Sequence, residues 1–342
     1  MKNKTSFYLV PILITTIGFF TISRCFFHGN TYSGEDTLKT STYWNIAPLV
    51  IDDSGGGDYT WAEAVLEDWC AGSGIENDPY IIENVAINGG NSTSCIEIKQ
   101  SSVHFIIRNC TVTNSAENDA GIYLYNVENG NLVDNNCSLN NGFGILAAIV
   151  SNLNISNNKV NNNILGMYLY KCNYSTVKEN LITGNQNKGI YLKDNCNYNE
   201  IVYNYVNDNQ DSGIYLSYSF HTDILHNTAN TNKWDGIHLF RSDQNTISEN
   251  KIENNKHYGV SLLASDNNII TENEIIYVLG CIEQDEACQG NTINNNSCTR
   301  SIIDEDFLDE DFPPLIIILI IALSFGAVVI IAVIVYWHRK RK

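Results

Sequence analysis

The chain has 342 residues and a formal net charge of −18 at pH 7, with 44% hydrophobic and 17% charged residues. Because binding to a phosphate backbone requires a basic surface, this charge argues against nucleic acid as a partner.

The chain begins with an apolar run, Phe7 to Ile22, behind Lys2 and Lys4. This is the layout of a secretory signal, but no good small-residue cleavage site follows. Residues 1–29 are therefore predicted to be a signal peptide or an uncleaved signal anchor.

Residues 30–80 are predicted to form a spacer and an N-terminal cap. Thr60 and Glu63 have the spacing of a capping box, and residues 61–69 place apolar side chains on one face of a short helix. Because the end of a stacked array exposes its core, we expect this helix to cover the array that follows.

One sequence motif then recurs along the chain: glycine, an aliphatic residue, usually an aromatic residue, and a second aliphatic residue. Successive glycines lie 22 to 24 residues apart. They are Gly121, Gly144, Gly166, Gly189, Gly213, Gly236 and Gly259. A fixed period of this length is typical of stacked repeats, and the short alternating apolar segments predict strands.

Asparagines recur with the same period, and a buried corner asparagine can bond to the turns on both sides of it. The predicted ladder is Asn158, Asn180, Asn204, Asn227, Asn250, Asn273 and Asn296, continued less regularly by Asn84, Asn109 and Asn136. A second column comprises Asn140, Asn162, Asn185, Asn209, Asn232 and Asn255. Low-complexity disorder does not explain the phased aliphatic residues.

The recurring glycine motif and the asparagine columns predict an all-β fold, a parallel β-helix solenoid of nine to ten coils over residues 81–300. They resemble the right-handed parallel β-helix repeats of the pectate-lyase-like superfamily, and within it the copper-binding NosD-like branch, also described as carbohydrate-binding and sugar-hydrolysis domains. The segments 72–74 and 77–82 resemble the start of the first coil in such proteins. The resemblance implies a right-handed solenoid and leaves the activity open.

After the repeats, residues 301–314 form a predicted acidic juxtamembrane stalk. Residues 315–337 are uncharged and long enough for a transmembrane helix, and the basic residues 338–342 fit a cytoplasmic tail. We therefore expect a single-pass protein of the cell membrane, anchored by its C-terminal span, with the β-helix outside the cell.

Cysteines recur at equivalent positions of the repeat, so neighbouring coils can bring them within disulfide distance. Cys172 with Cys196 is the first predicted bond. The other candidates are Cys110 with Cys137, Cys281 with Cys288 or Cys298, and Cys70 with Cys95. Buried, unpaired thiols are the alternative for each pair.

Aromatic residues are predicted to share one outward face of the solenoid, because alternate residues of a strand point the same way. This candidate ligand-binding face comprises Tyr123, Tyr125, Tyr168, Tyr170, Tyr191, Tyr215, His238 and Phe240. Rings beside amides and carboxylates can hold sugars, although the same tyrosines could simply stabilise the sheet.

Asp211 and Asp235 precede their glycines on neighbouring coils and could converge beside His257 as acid and base on a glycosidic bond. The alternative is that such residues only satisfy backbone groups in turns. No catalytic residue is assigned and no metal site is predicted, since His221, His226, His238 and His257 fall in different columns. Cofactors are not expected, with calcium or copper as alternatives.

The sequence thus predicts a membrane-anchored extracellular β-helix, and it favours a non-enzymatic binding module for carbohydrate or another surface polymer over an enzyme. The alternatives are a polysaccharide lyase or glycoside hydrolase, and a NosD-like copper carrier.

Overall fold

The computed structural model describes residues 43–301. The predicted signal segment (1–29), transmembrane helix (315–337), basic tail (338–342) and nearly all of the acidic stalk (301–314) lie outside the described residues. Within residues 43–301, no helix has the length and apolar character needed to cross a bilayer.

The described chain is almost entirely β-structure. Its one helix is α1 (Trp61–Ala64). Its strands are β1 (Trp44–Asn45), β2 (Leu49–Asp52), β3 (Cys70–Ala71), β4 (Tyr80–Glu83), β5 (Val85–Asn88), β6 (Ile96–Ser101), β7 (Phe105–Arg108), β8 (Thr111–Thr113), β9 (Ala120–Glu128), β10 (Gly130–Val133), β11 (Phe143–Ser151), β12 (Asn154–Ser156), β13 (Leu165–Asn173), β14 (Thr176–Lys178), β15 (Leu181–Thr183), β16 (Ile190–Lys193), β17 (Glu200–Val202), β18 (Tyr205–Asn207), β19 (Ile214–Ser217), β20 (Asp223–Leu225), β21 (Ile237–Phe240), β22 (Thr246–Ser248), β23 (Lys251–Glu253), β24 (Tyr258–Leu263), β25 (Ile269–Thr271), β26 (Glu274–Tyr277), β27 (Gly280–Gln284), β28 (Thr292–Asn294) and β29 (Ser297–Arg300).

These strands stack into three long faces. The first sheet has ten strands in the order β2-β6-β9-β11-β13-β16-β19-β21-β24-β27, and the second has eleven in the order β28-β25-β22-β20-β17-β14-β12-β10-β7-β4-β3. The third face consists of the short sheets β1-β5-β8, β15-β18 and β23-β26-β29, with single bridges between them. Among the described strands, only β3 with β4 pairs antiparallel. The chain is therefore a parallel β-helix of about ten turns, as the sequence predicted.

The register follows the sequence period. Ile190 pairs with Ile214, and Ile214 pairs with Ile237, so equivalent residues of successive turns lie directly over one another. Inward-facing Ile, Val and Leu consequently form one continuous core from Leu49 to Ile275. Burying such columns is the main stabilising contribution of the fold.

The glycine of each repeat is required by close packing at the start of the first-sheet strands. A Cβ atom added at Gly213 would lie 2.7 Å from Asn232 Nδ2 and 2.8 Å from the Gly236 carbonyl oxygen. The recurring glycine therefore leaves room for the asparagine and for the next turn.

The predicted asparagine ladder is present as hydrogen bonds between turns. Asn204 donates its backbone N–H and its Nδ2 to Asn227 Oδ1, and Asn227 bonds in the same way to Asn250. Each Nδ2 also donates to a carbonyl of the preceding turn, such as Ile201 O for Asn227. The ladder thus satisfies both the core amides and the buried backbone around them.

Three ladder assignments were wrong. Two were displaced by one residue, and one placed asparagines in the buried ladder that lie outside it. The first ladder begins at Asn135 rather than Asn136, and the second column passes through Asn163 rather than Asn162. Asn109 Nδ2 donates to Asn84 Oδ1 away from the buried ladder, where both residues have positive φ. At Asn162 the corner needs a left-handed residue and takes that asparagine, while the core takes its neighbour Asn163.

Helix α1 is a single turn and not the nine-residue helix predicted over residues 61–69. The Glu63 carboxylate accepts hydrogen bonds from the Thr60 backbone N–H and hydroxyl, as the capping box predicts. Trp61 is buried, stacks on Tyr80 with centroids 4.9 Å apart, and contacts Phe105.

One disulfide is present among the described residues, between Cys281 and Cys298. The bond predicted between Cys172 and Cys196 is absent, and the pairs Cys110–Cys137 and Cys70–Cys95 are also free thiols. Of the two candidate partners of Cys281, Cys298 forms the bond and Cys288 is a free thiol. The Cys172 and Cys196 thiols bond to backbone groups instead: Cys196 Sγ accepts from Cys172 N at 3.2 Å and donates to Leu169 O at 3.2 Å. Serines take this role in later turns, where Ser219 N donates to Ser242 Oγ.

Candidate functional site

The first sheet carries the predicted aromatic face, which consists of two outward columns of residues. In the first column, Tyr123, Leu146, Tyr168, Tyr191, Tyr215 and His238 lie in register on successive turns. In the second column, Tyr125, Ala148, Tyr170, Lys193, Ser217 and Phe240 do the same. All eight predicted residues therefore share one face, but Leu146 separates Tyr123 from the other rings of its column.

The rings of the first column pack on one another. Tyr168 and Tyr191 centroids are 5.2 Å apart, Tyr191 and Tyr215 meet edge-on at 5.0 Å, and Tyr215 stacks on His238 at 4.7 Å. Phe143, which the sequence did not single out, extends this stack below Tyr168 at 5.5 Å. The rings of this stack are partly exposed.

These tyrosines are half-buried, which changes their acidity. Burial raises the pKa of Tyr168 and Tyr215 to about 12, and in both cases the neighbouring Tyr191 adds to the shift. Burial likewise raises the pKa of Tyr191 and Tyr123. The phenols are therefore neutral hydrogen-bond donors and acceptors at neutral pH.

A lysine lies over this stack although the whole chain is acidic. Lys188 Nζ is 4.8 Å from the Tyr215 ring centroid and 5.5 Å from that of Tyr191, and it forms an ion pair with Asp211. Burial opposes ionisation of Asp211, but hydrogen bonds from Lys188 and the Ser212 backbone outweigh it and hold the pKa of this carboxyl below its usual value.

Lysine and arginine residues meet rings repeatedly on this side of the protein. Lys99 lies over Tyr123, Lys171 over Tyr170, and Arg241 over Tyr218 and Phe240. Together with the two contacts of Lys188, these are all the cation–π contacts among residues 43–301. The aromatic face is thus a row of rings with lysine and arginine beside it, and two of these lysines are paired with carboxylates, Lys188 with Asp211 and Lys99 with Glu97.

Asp235 is the most unusual group on this face, because its side chain is 0% exposed and meets two imidazoles. Its Oδ2 lies 2.7 Å from His238 Nδ1, and its Oδ1 lies 2.9 Å from His257 Nδ1. The Tyr258 backbone N–H also donates to Oδ1 at 2.9 Å. An ionised carboxylate only accepts hydrogen bonds, so this contact favours a proton on each Nδ1.

The predicted convergence of Asp211 and Asp235 beside His257 is therefore present only for Asp235. Asp211 pairs with Lys188 on the preceding turn, although both carboxylates act on the Tyr215 hydroxyl by raising its pKa. The cluster that results combines one buried carboxylate, two imidazoles, a lysine and a tyrosine.

Trp234 was missed by sequence reasoning. It is 49% exposed, and its ring stacks on His257 with centroids 4.3 Å apart. It lies in the turn before β21, where the repeats share no residue type, so the period carried no signal for it. The only usable clue was its position directly before Asp235.

The histidines do not gather into a larger donor set. Across residues 43–301, no group of three or more His, Cys, Asp or Glu side chains could hold a metal ion. His221 stacks on Tyr198 and His226 on Tyr203, away from the Asp235 cluster.

Two family models match the chain. One is the right handed beta helix region, over residues 94–244, and the other is the periplasmic copper-binding protein (NosD), over residues 206–308. No curated protein matches at a significant level.

Solved structures match this chain at low sequence identity. The DFA-IIIase from Arthrobacter chlorophenolicus A6 is 13% identical with a TM-score of 0.53, and the match covers 68% of this chain and 65% of that one. The A-module of the Azotobacter vinelandii mannuronan C-5 epimerase AlgE6 is 15% identical with a TM-score of 0.45, covering 65% of this chain and 62% of the module. The Dettilon tailspike protein (gp208) is 14% identical with a TM-score of 0.49, covering 64% of this chain and 55% of that chain. This chain thus spans less than two thirds of each of these proteins, and the matches concern the fold alone.

Proposed function

We propose that this parallel β-helix protein binds an acidic polysaccharide along its aromatic face. The observation that carries this proposal is the continuous stack from Tyr168 to His238 with Lys188 over it. Ring edges and phenols suit sugar hydroxyls, and the bordering cations suit carboxylate or sulfate groups on the polymer.

Trp234 supplies the sugar platform in this proposal. Its indole packs against His257 on one side and is half-exposed, so a pyranose can stack on what remains open. Lys188 and Arg241 then select a charged polymer over a neutral one.

The proposal includes a location. Residues 315–337 would anchor the protein in the cell membrane, with the β-helix on the outer side and helix α1 covering its N-terminal end. The periplasmic description of the NosD family, whose model matches residues 206–308, supports a position outside the cytoplasm.

Affinity measurements with two polymers test the binding proposal. Polygalacturonate, an acidic chain, should bind the purified full-length protein, whereas dextran, a neutral chain, should bind weakly. Trp234→Ala should weaken polygalacturonate binding by about tenfold, the loss expected for one stacked aromatic anchor. Tyr205→Ala removes an equally exposed ring from the third face and should have no effect; equal losses in both variants would contradict the proposal.

An enzyme is the second candidate, and the Asp235 cluster favours it. A buried carboxylate that fixes the tautomer of two imidazoles is an arrangement suited to general acid–base chemistry, here on a glycan held beside Tyr215. Under this hypothesis the wild-type protein releases oligosaccharides from a polysaccharide. Asp235→Asn should stop release without abolishing binding, and a wild-type protein that binds but releases nothing would reject it.

Copper carriage is the remaining hypothesis, and it rests on the description of the NosD family. It requires stoichiometric copper in the purified protein, although the described residues bring no three metal-binding side chains together. Metal analysis of the purified protein tests it.

A further inference from the structure

A second surface of the solenoid carries aromatic rings at corner positions where its other turns carry Asn, Asp, Gln or Glu. The second sheet is bordered by two corners, and their residues have positive φ. The first corner contains Asn129, Asn152, Tyr174, Tyr198, His221, Gln244 and Asn267, and the second contains Asp134, Asn157, Glu179, Tyr203, His226, Glu249 and Glu272.

A ring is an uncommon choice for such a corner. Left-handed backbone favours Gly, Asn and Asp, and a bulky residue there costs about 1 kcal/mol or more. Tyr198 and Tyr203 have φ of 56°, the same backbone that Asn157 adopts in an earlier turn. The rings are therefore not explained by the needs of the turn itself.

These corner rings are stacked and strongly exposed. Tyr174 and Tyr198 centroids are 5.3 Å apart, Tyr198 and His221 are 4.7 Å apart, and Tyr203 and His226 are 4.8 Å apart, all nearly parallel. The exposed fractions of Tyr174, Tyr198 and Tyr203 are 62%, 51% and 55%. Three exposed tyrosines on neighbouring turns form the kind of patch that marks a contact surface.

The strip between the two corners is negatively charged. Glu200 and Asp223 are in register on β17 and β20, both are exposed, and within the described chain neither forms an ion pair. Like charges directly opposite one another destabilise a sheet. The flanking turns avoid this cost with Thr176 and Thr246 at the same position.

We propose that this second-sheet surface, made of Tyr174, Tyr198, Tyr203, His221, His226, Glu200 and Asp223, docks a partner protein through an extended segment rich in arginine or lysine. A guanidinium group can bond to the Glu200 or Asp223 carboxylate while its plane lies against an exposed tyrosine. The same carboxylates would repel the acidic polysaccharide assigned to the aromatic face. The proposal therefore concerns a different face and does not depend on the proposed glycan function.

The probe for this surface is an octa-arginine peptide, with octa-glutamate as its opposite, titrated against the full-length protein by calorimetry. Tyr198→Asn with Tyr203→Asn installs the residue type that other turns use at these corners, so the variant should fold with equal or greater stability. It should bind octa-arginine about tenfold or more weakly. Glu200→Thr with Asp223→Thr copies the flanking turns and should also weaken binding.

Trp234→Ala, in the turn before β21 and outside the second-sheet surface, is the matched control and should leave octa-arginine binding unchanged. Wild-type binding should fall as NaCl rises from about 50 to about 500 mM, because these charges are exposed. Unchanged binding in the Tyr198, Tyr203 variant would overturn the proposal. A lowered melting temperature with unchanged binding would show that the rings only stabilise the corners. Preference for a neutral oligosaccharide such as cellohexaose over the peptide would also overturn the proposal.

Discussion

At the scale of single residues, the ladder asparagines combine a structural and a hydrogen-bonding role. Asn227 is buried, donates Nδ2 to Ile201 O at 2.7 Å and to Asn250 Oδ1 at 3.0 Å, and accepts from Asn204 N at 2.9 Å. Removing this side chain leaves backbone groups of two turns unsatisfied in the core.

Asn227→Ala should therefore lower the free energy of unfolding by about 2 to 5 kcal/mol, since several buried groups lose partners at once. Chemical denaturation followed by circular dichroism measures it. Asn187→Ala, an exposed asparagine that bonds only to its neighbour Lys188 among the described residues, is the control and should cost less than about 0.5 kcal/mol. Similar losses for both would mean that the ladder does not support the fold.

The cysteines give a second prediction. Burial raises the pKa of Cys70 and Cys95 to about 11 and that of Cys110 to about 12, so little thiolate exists at pH 8. Iodoacetamide at pH 8 should leave them unmodified in the folded protein and label them after unfolding.

Mass spectrometry without reduction should find Cys281 joined to Cys298, and a Cys172–Cys196 peptide pair would contradict the structure.

The residue scale also marks what the sequence could tell. The period identified the ladder, but where two asparagines are adjacent, as at Asn162 and Asn163, it could not say which enters the core. That choice depends on which residue the corner needs in a left-handed backbone. The disulfide between Cys172 and Cys196 was predicted from spacing alone, whereas both thiols turn to backbone groups.

At the scale of elements, the glycine before each first-sheet strand can be tested. Gly213→Ala would place a Cβ atom 2.7 Å from Asn232 Nδ2, closer than such atoms approach without a shift of the ladder. We expect a melting temperature several degrees lower, the effect of overpacking a rigid core by one methyl group. An unchanged melting temperature would show that the turns are not held at this spacing.

The tyrosines of the aromatic face should ionise at higher pH in the folded protein than in the unfolded one. Because the folded pKa of Tyr168 and Tyr215 is about 12, above the ordinary value near 10, the folded state holds their protons longer than the unfolded state does. Their contribution to stability is then complete below pH 10 and is lost as the pH rises from about 10 to about 12. Ultraviolet titration should find a late-ionising group of tyrosines that is absent from the unfolded protein.

The candidate site was only partly predictable from its elements. Alternation along each strand placed the tyrosines on one face, because that depends on local geometry. Asp235 lies in the turn before β21, His238 lies in β21, and His257 lies just before β24 on the next coil. Because the three residues occupy different columns of the repeat, the period does not predict their contact. Trp234 lies in the same turn as Asp235, outside any recurring motif, so only the folded arrangement reveals it.

At the scale of the whole molecule, a stack of about ten turns offers faces that run along its axis, at ~4.8 Å per turn. Such a face suits a linear polymer that is contacted on several turns at once. If both proposals hold, the acidic polysaccharide lies on the first sheet and the cationic peptide segment on the second. Tyr198→Asn with Tyr203→Asn should therefore leave the affinity for polygalacturonate within about twofold, because the faces share no residue. Calorimetry of this variant with polygalacturonate alone measures this, and a loss as large as that for octa-arginine would mean a single shared site.

Hydroxyl-radical footprinting of the full-length protein, with and without an oligogalacturonate, tests polysaccharide binding on the aromatic face most directly, since the radicals oxidise exposed rings. We predict protection of Trp234, Tyr191 and Tyr215 on the aromatic face and unchanged oxidation of Tyr205 on the third face. Protection of Tyr205, Tyr174 or Tyr198 in place of these residues, or of no ring at all under saturating ligand, would contradict binding at this face.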